Sequence, residues 1–161
     1  MDQQEIFKEA LAMQEELATW RHALHQMPEL SLDLPKTSAF VQTRLAEMDV
    51  PFHTIVNGNG VVAQLGEGEP CLLLRADMDA LPVAETSGVD FASTNGCMHA
   101  CGHDMHTTSL LGAAKLLKAH EAELCGTVKL LFQPGEETFN GAEACIKCSC
   151  TVRKQATENK R

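Results

Sequence analysis

The stretch CLLLRADMDALP at residues 71–82 decides the fold, because an apolar run passes there directly into acidic side chains. Four consecutive apolar residues at 71–74 are typical of a short strand that is buried on both faces. A helical pattern follows over 107–120, and a second apolar run occupies 127–132. Strand, long connection, helix and strand in this order form a crossover unit, which joins parallel strands. The sequence therefore predicts an α/β fold with a mostly parallel sheet and flanking helices.

The residues before this unit predict two helices and a hairpin. Apolar residues at helical spacing indicate an amphipathic helix over 5–27. Thr37 is expected to cap a second helix over 37–48, since a hydroxyl can accept a free N–H of the first turn. Strands at 52–56 and 61–65 flank an Asn-Gly-Asn-Gly sequence, which is typical of a tight hairpin turn.

Composition excludes several functional classes. The chain has 13 Lys and Arg against 22 Asp and Glu, and its net charge of −9 argues against nucleic acids and anionic membranes as partners. It shows no run of 18 apolar residues and no leader with a basic start and an apolar centre, so we expect no membrane segment and no signal peptide. Seven Cys, an odd number, favour reduced thiols and a cytoplasmic location. Cys71 and Cys125 are expected to pack in the core.

Three polar segments are predicted to meet at one edge of the sheet. RADMDALP at 75–82 directly follows the first strand of the crossover unit, and QPGEE at 133–137 directly follows the second. HACGHDMH at 99–106 leads into the helix, which must begin at the same edge because it runs back antiparallel to the strands. This edge therefore collects Asp77, Asp79, Cys101, His103, Glu136 and Glu137.

Side chains of this kind favour a divalent ion such as zinc, manganese, cobalt or nickel. The glycine between Cys101 and His103 allows a sharp bend, and the following helix N-terminus is expected to lower the pKa of the thiol. Glu136 and Glu137 point in different directions in an extended chain, so one can bind metal while the other acts as general base. The alternative is a thiol hydrolase, with Cys101 as nucleophile and His103 or His99 as base.

Four motifs occur in a fixed order along the chain: HQMPEL at 25–30, LRADMDALP at 74–82, MHACGHDMHT at 98–107 and FQPGEE at 132–137. This pattern resembles the metal-dependent amidohydrolases of the hippurate hydrolase, N-acyl-amino-acid amidohydrolase and auxin-conjugate hydrolase group. That group belongs to the wider metallopeptidase family of aminoacylases and carboxypeptidase G. The resemblance covers about residues 20–146.

The resemblance implies a two-metal α/β catalytic domain with an inserted lid domain, which hydrolyses the amide bond of N-acyl amino acids. Cys101, His103 and Glu137 would be metal ligands, and Glu136 would be the general base that takes a proton from the bridging water. Asp79 would hydrogen-bond His103 and orient it. The metals would be two divalent ions, manganese, zinc, cobalt or nickel. Full-length relatives would be homodimers or homotetramers.

The family pattern continues for more than this whole length again, and that part supplies two further His ligands and the lid. No His follows His120. We therefore expect residues 1–146 to be the amino-terminal part of the catalytic domain, without its later strands and lid, and the basic residues 147–161 to form a disordered tail. Little turnover is expected from this chain, and a non-catalytic remnant that binds at most one metal is the alternative. Six further residues receive no separate role. Asp77, His99 and His106 lie within the motifs. His22, His25 and His53 have no Cys or carboxylates clustered with them in the chain.

Overall fold

A mixed four-stranded sheet with helices on both faces forms the centre of the computed structural model, which describes residues 2–148. The elements are α1 (Gln3–Ala12), α2 (Gln14–His25), α3 (Pro35–Glu47), β1 (Phe52–Ile55), β2 (Gly60–Leu65), β3 (Cys71–Asp77), α4 (His103–Ala119) and β4 (Thr127–Gln133), with 3-10 turns at Val56–Gly58 and Glu121–Glu123 and helical backbone over 141–148.

The strands lie in the order β1-β2-β4-β3. β3 and β4 are parallel, as the crossover unit predicts, whereas β1 pairs with β2 and β2 pairs with β4 in the antiparallel sense. The predicted hairpin is thus confirmed, and its second strand adds to the crossover unit at β4. The α/β fold with flanking helices is confirmed as well. The sheet of the described residues is mixed rather than mostly parallel, because the hairpin contributes two of its three strand pairs.

Two apolar layers cover the two faces of the sheet. The main core lies between the sheet and helices α2, α3 and α4, and its fully buried strand residues are Val61, Ala63, Leu130 and Phe132. Val62 and Leu131 alternate with these residues, face the other way and pack near Cys145 of the 141–148 helix. Because residues on both faces of β2 and β4 pack in apolar layers, a shift of the strand register would expose them. The packing therefore fixes the register and the point at which β4 ends.

The helix boundaries differ from the prediction in two places. A turn at Met13 divides the predicted 5–27 helix into α1 and α2, and α1 buries no residue while α2 buries Trp20 and Leu24. The predicted cap at Thr37 is wrong, because α3 begins two residues earlier with a proline at its first position. The Glu29 carboxylate, eight residues earlier in the chain, accepts the N–H of Thr37 at 2.8 Å and so satisfies a free N–H of the first helical turn.

Strand β3 lies at the edge of the sheet and pairs with β4 alone among the described strands. Leu72 and Leu73 are each 56% exposed, so the prediction of a strand buried on both faces is wrong along this part of β3. Cys71 and Cys125 are also exposed, and the expectation that they pack in the core is wrong. An apolar run alone could not distinguish an edge strand from a central one, since that depends on which strands pair.

The predicted tail falls mostly outside the described part of the chain. Residues 147 and 148 belong to the helical backbone over 141–148, and the expectation for 149–161 concerns residues that the structure does not describe. Within residues 2–148, no helix combines the length and the apolar character needed to cross a membrane.

Candidate metal centre

The carboxyl ends of β3 and β4 carry the polar residues of the candidate site. Asp77 ends β3 and lies opposite Gln133, which ends β4, so the segment with Glu136 starts at the same level of the sheet. The long connection over 78–102 returns to this edge, where His103 begins α4. The three polar segments therefore meet as the crossover topology predicts.

Asp79 ties these segments together. Its fully buried carboxylate accepts the backbone N–H of Glu136 at 2.9 Å and of Glu137 at 3.1 Å. Its backbone carbonyl oxygen accepts the Nδ1–H of His103 at 2.8 Å, whereas its Oδ1 atom lies 3.6 Å from Nδ1. The predicted hydrogen bond between Asp79 and His103 is thus present, although it runs through the main chain of Asp79. Burial tends to raise the pKa of Asp79, but His103 and the two backbone donors outweigh it and lower the pKa.

His103 directs its second ring nitrogen at carboxylate oxygens. Its Nε2 atom lies 3.5 Å from Asp77 Oδ1 and 3.8 Å from both Glu136 Oε2 and Glu137 Oε1. These separations exceed hydrogen-bond length. A tetrahedral ion with Zn–N and Zn–O bonds of about 2.0–2.1 Å would hold two such atoms about 3.3 Å apart, so a small adjustment admits an ion. Burial would lower the pKa of His103, but the hydrogen bond with Asp79 and the charge of Asp77 raise it, so that a metal and a proton compete for Nε2.

The two adjacent glutamates differ in their surroundings. The side chain of Glu137 is 18% exposed, and its Oε1 atom is buried with no hydrogen-bond partner among the described residues. The side chain of Glu136 is 37% exposed. A buried carboxylate oxygen without a partner is costly, so Glu137 Oε1 fits a cation held together with His103. Glu136 keeps contact with solvent, as a general base for water needs.

The thiol of Cys101 is influenced by the same carboxylate. Gly102 adopts the left-handed region with φ +78°, which provides the predicted bend between Cys101 and His103. A hydrogen bond with Glu137, followed by burial and the charges of nearby carboxylates, raises the pKa of Cys101. The predicted lowering by the helix N-terminus is therefore wrong, because these acidic neighbours oppose it. The Sγ atom lies outside the groups of three donors within 4.8 Å of one another that residues 2–148 form.

Those donor groups are two, and His103 belongs to both. One is His103 with Glu136 and Glu137, and the other is His103 with Asp77 and His106. The Nδ1 atom of His106, whose side chain is 57% exposed, lies 2.7 Å from Asp77 Oδ1. The sequence assigned no role to His106. A usable signal was its three-residue spacing from His103, which puts both imidazoles on one face of a helix.

Two further histidines are buried. His99 is 4% exposed and has no hydrogen-bond partner for either ring nitrogen among the described residues, and burial lowers its pKa to about 4. His25 is 3% exposed and bridges the carboxylates of Asp104 and Glu85. The sequence offered no partner for His25, because these acids lie 79 and 60 residues away in the chain.

Known proteins match both the sequence and the fold. Residues 73–159 match the profile of the peptidase family M20/M25/M40. The IAA-amino acid hydrolase ILR1-like 5 of Arabidopsis thaliana is 46% identical over 144 residues, covering 86% of this chain and 33% of that protein. The N-acetyl-L-cysteine deacetylase of Bacillus subtilis (strain 168) is 46% identical over 138 residues, covering 84% and 33%. Among solved structures, the Bacillus subtilis YXEP protein, a dinuclear metal-binding peptidase from the M20 family, matches with a TM-score of 0.82 and 39% identity, covering 86% of this chain and 40% of that one.

The chain spans about a third of the length of these curated relatives. The family profile nevertheless covers more than half of the chain and includes the whole candidate site from Asp77 to Glu137. The fold agrees with that of the matched M20 peptidase over most of the described residues. The chain thus belongs to the peptidase family M20/M25/M40.

Proposed function

We propose that this chain carries the metal-binding part of a hydrolase that cleaves the amide bond of N-acyl amino acids or related small conjugates. The main support is the buried Oε1 atom of Glu137, which has no hydrogen-bond partner within residues 2–148 and lies 3.8 Å from the Nε2 atom of His103. The same carboxylate raises the pKa of the Cys101 thiol, so the two groups influence each other. The substrate class follows from two relatives, an IAA-amino acid hydrolase and an N-acetyl-L-cysteine deacetylase.

In this proposal Cys101, His103 and Glu137 hold a divalent ion, which is zinc, manganese, cobalt or nickel. Such an ion, when bound, makes water a better nucleophile and polarises the carbonyl of the substrate. Asp79 keeps Nδ1 of His103 engaged, so that Nε2 is free for the ion. Glu136 accepts a proton from the attacking water and returns it to the leaving amine. The water oxygen bonds to the carbonyl carbon as the C–N bond breaks.

The number of ions separates two candidate functions. In both donor groups Nε2 of His103 is the nitrogen near the carboxylates, and one nitrogen binds one ion, so the described residues support one site at a time. The chain spans about a third of the length of its relatives. Catalysis, a second ion, oligomerisation and a cytoplasmic location are therefore proposals for the whole protein. The shared Nε2 atom favours, as second candidate, a non-catalytic remnant that binds at most one metal. A thiol hydrolase is disfavoured, because it would leave the Glu136 and Glu137 carboxylates beside His103 without a role.

Metal binding and hydrolysis, measured on one set of proteins, test the proposal. Equilibrium dialysis with Mn²⁺, Co²⁺ or Zn²⁺ is expected to find a bound ion whose affinity falls at least about tenfold in Glu137→Gln. Any hydrolysis of N-acetyl amino acids should require the ion and fall at least about 100-fold in Glu136→Gln, with the ion retained. Glu143→Gln, at an exposed glutamate of the following helix, is the matched control.

Each outcome of this series decides between the candidates. An ion that binds equally well to Glu137→Gln, or no bound ion at all, contradicts the proposed centre. Two tightly bound ions contradict the remnant. One bound ion without hydrolysis of any N-acyl amino acid tried supports the remnant instead.

A further inference from the structure

His25 lies at the end of α2 and joins three parts of the molecule. Its Nδ1 atom hydrogen-bonds Asp104 Oδ2 at 2.8 Å, in the first turn of α4, and its Nε2 atom hydrogen-bonds Glu85 Oε1 at 3.0 Å, in the long connection. Arg21, one turn earlier on α2, donates to the same oxygen of Asp104 at 2.8 Å. The side chains of Asp104 and Glu85 are fully shielded from solvent.

The bridge places one imidazole between two acidic side chains that are shielded from solvent. Hydrogen bonds from Ser87 and His25 lower the pKa of Glu85 to about 2, in keeping with an ionised acid. Removal of the imidazole would leave buried carboxylates poorly compensated, which is far more costly than loss of a surface pair.

The two acids that His25 bridges lie on either side of the candidate ligands in the sequence. Glu85 precedes Cys101 and His103, and Asp104 follows them directly. One imidazole therefore holds the connection before the ligands and the helical turn after them. A helix turning by about 5° moves a side-chain tip by roughly half an ångström, which is the tolerance of a metal or catalytic site. The Asp104 anchor resists this rotation, because Arg21 and His25 both hold Oδ2.

We propose that His25 is a positioning residue of the metal centre: it bridges Glu85 and Asp104 and so fixes Cys101 and His103 relative to each other. This role rests on the proposed metal function of those two residues. His25 itself touches neither ligand in the contacts described above, and its effect passes through the two acids. The expected consequence of its loss is a weaker and differently shaped metal site in a folded protein.

Cobalt titration of the full chain tests this role. Thiolate-bound Co²⁺ gives a charge-transfer absorption, and its loss in Cys101→Ser identifies the thiol. His25→Gln is expected to weaken Co²⁺ binding about tenfold or more and to change the ligand-field spectrum, which reports geometry. His22→Gln is the matched control: His22 lies one turn earlier on α2 and stacks on Phe91 of the same connection, at 3.8 Å between ring centroids. We expect its Co²⁺ affinity to stay within about twofold of wild type, since His22 bridges no carboxylates.

The result that overturns the proposal is a folded His25→Gln with wild-type cobalt affinity and spectrum. Should that variant fail to fold, the double variant His25→Gln, Glu85→Gln removes one uncompensated acid. It is expected to fold and still bind Co²⁺ about tenfold more weakly, and wild-type binding by it would overturn the role. If the wild type itself shows no thiolate absorption, the proposed function fails. NMR signals of the His103 ring without metal then decide: a shift in His25→Gln but not in His22→Gln supports positioning, and unchanged signals overturn it.

Discussion

His103 and His25 are both buried imidazoles that face carboxylates, but the distances to those carboxylates differ. The two nitrogens of His25 lie 2.8 and 3.0 Å from acidic oxygens, which is hydrogen-bond length. The Nε2 atom of His103 lies 3.5–3.8 Å from three acidic oxygens and reaches none of them at hydrogen-bond length. Both ring nitrogens of His25 are therefore engaged in hydrogen bonds, whereas Nε2 of His103 and the oxygens around it are spaced for an ion.

The acids around the two histidines differ less than the histidines do, because Asp104 Oδ1 beside His25 is buried with no hydrogen-bond partner among the described residues. Both oxygens of Glu85 have donors, with His25 on one and the backbone N–H of Ser93 on the other at 2.6 Å. The Oε1 atom of Glu137 is buried and has no partner among the described residues. Residue types alone do not separate a structural network from a ligand set, whereas the distances between the ring nitrogens and the acidic oxygens do.

The largest effect is expected from His103→Gln. This change removes the one nitrogen that both donor groups share, so metal affinity should fall at least about 100-fold. His106→Gln is the control variant, because His106 belongs only to the donor group that contains Asp77. Dialysis of both variants against Zn²⁺ compares the groups directly. A larger loss in His106→Gln than in His103→Gln would move the site to Asp77 and His106.

Asp79→Asn is expected to destabilise the protein by about 2 kcal/mol. The neutral amide has one acceptor oxygen for the two N–H groups that Asp79 now holds, and hydrogen bonds to a charged group contribute about 1.5–3 kcal/mol each. Urea unfolding measures the change, with Asp33→Asn at an exposed aspartate as control. Equal stability of the two variants would show that the carboxylate does not hold the Glu136–Glu137 segment.

Much of this arrangement follows from the sequence, because local order determines it. An apolar run, a polar segment, a helix and a second apolar run predict that Asp77, His103 and Glu137 meet, and no side-chain detail is needed. The partners of His25 and the capping of α3 by Glu29 involve groups that are distant in the chain or outside the usual capping positions. Such contacts depend on packing, which no periodicity reports.

The lowered pKa of His99 predicts that the protein loses stability in acid. Its pKa of about 4 lies below the ordinary 6.5, so the unfolded chain takes up this proton first as the pH falls. Its contribution is therefore complete above pH 6.5 and is lost toward pH 4, by about 2 kcal/mol between pH 7 and pH 5. His99→Leu should flatten this dependence with little cost at pH 7, since neither ring nitrogen has a partner among the described residues.

Urea unfolding at the two pH values measures the effect of His99. His53→Leu, at an exposed histidine, is the control and should keep the wild-type pH dependence. A strongly destabilised His99→Leu at pH 7 would contradict this account, because it would mean that the ring makes favourable polar contacts.

The smallest effect is expected at His120, at the opposite end of α4 from the metal centre. Hydrogen bonds with Glu9 of α1 and with Glu123 raise the pKa of His120. Their contribution to the stability of the folded state is therefore complete below pH 6.5 and is lost as the pH rises through the raised pKa. Amide exchange in α1, corrected for its intrinsic pH dependence, should become a few-fold faster above neutral pH. His120→Gln should remove that change, and an unaltered profile would show that the pair does not hold α1.

The most direct test of the proposed ligand set is the X-ray absorption fine structure of the zinc-loaded chain. One sulfur at about 2.3 Å, together with nitrogen and oxygen at about 2.0–2.1 Å, is the predicted first shell for Cys101, His103 and Glu137. The sulfur should disappear in Cys101→Ser. A shell with several sulfurs, or one without sulfur in the wild type, would contradict the account.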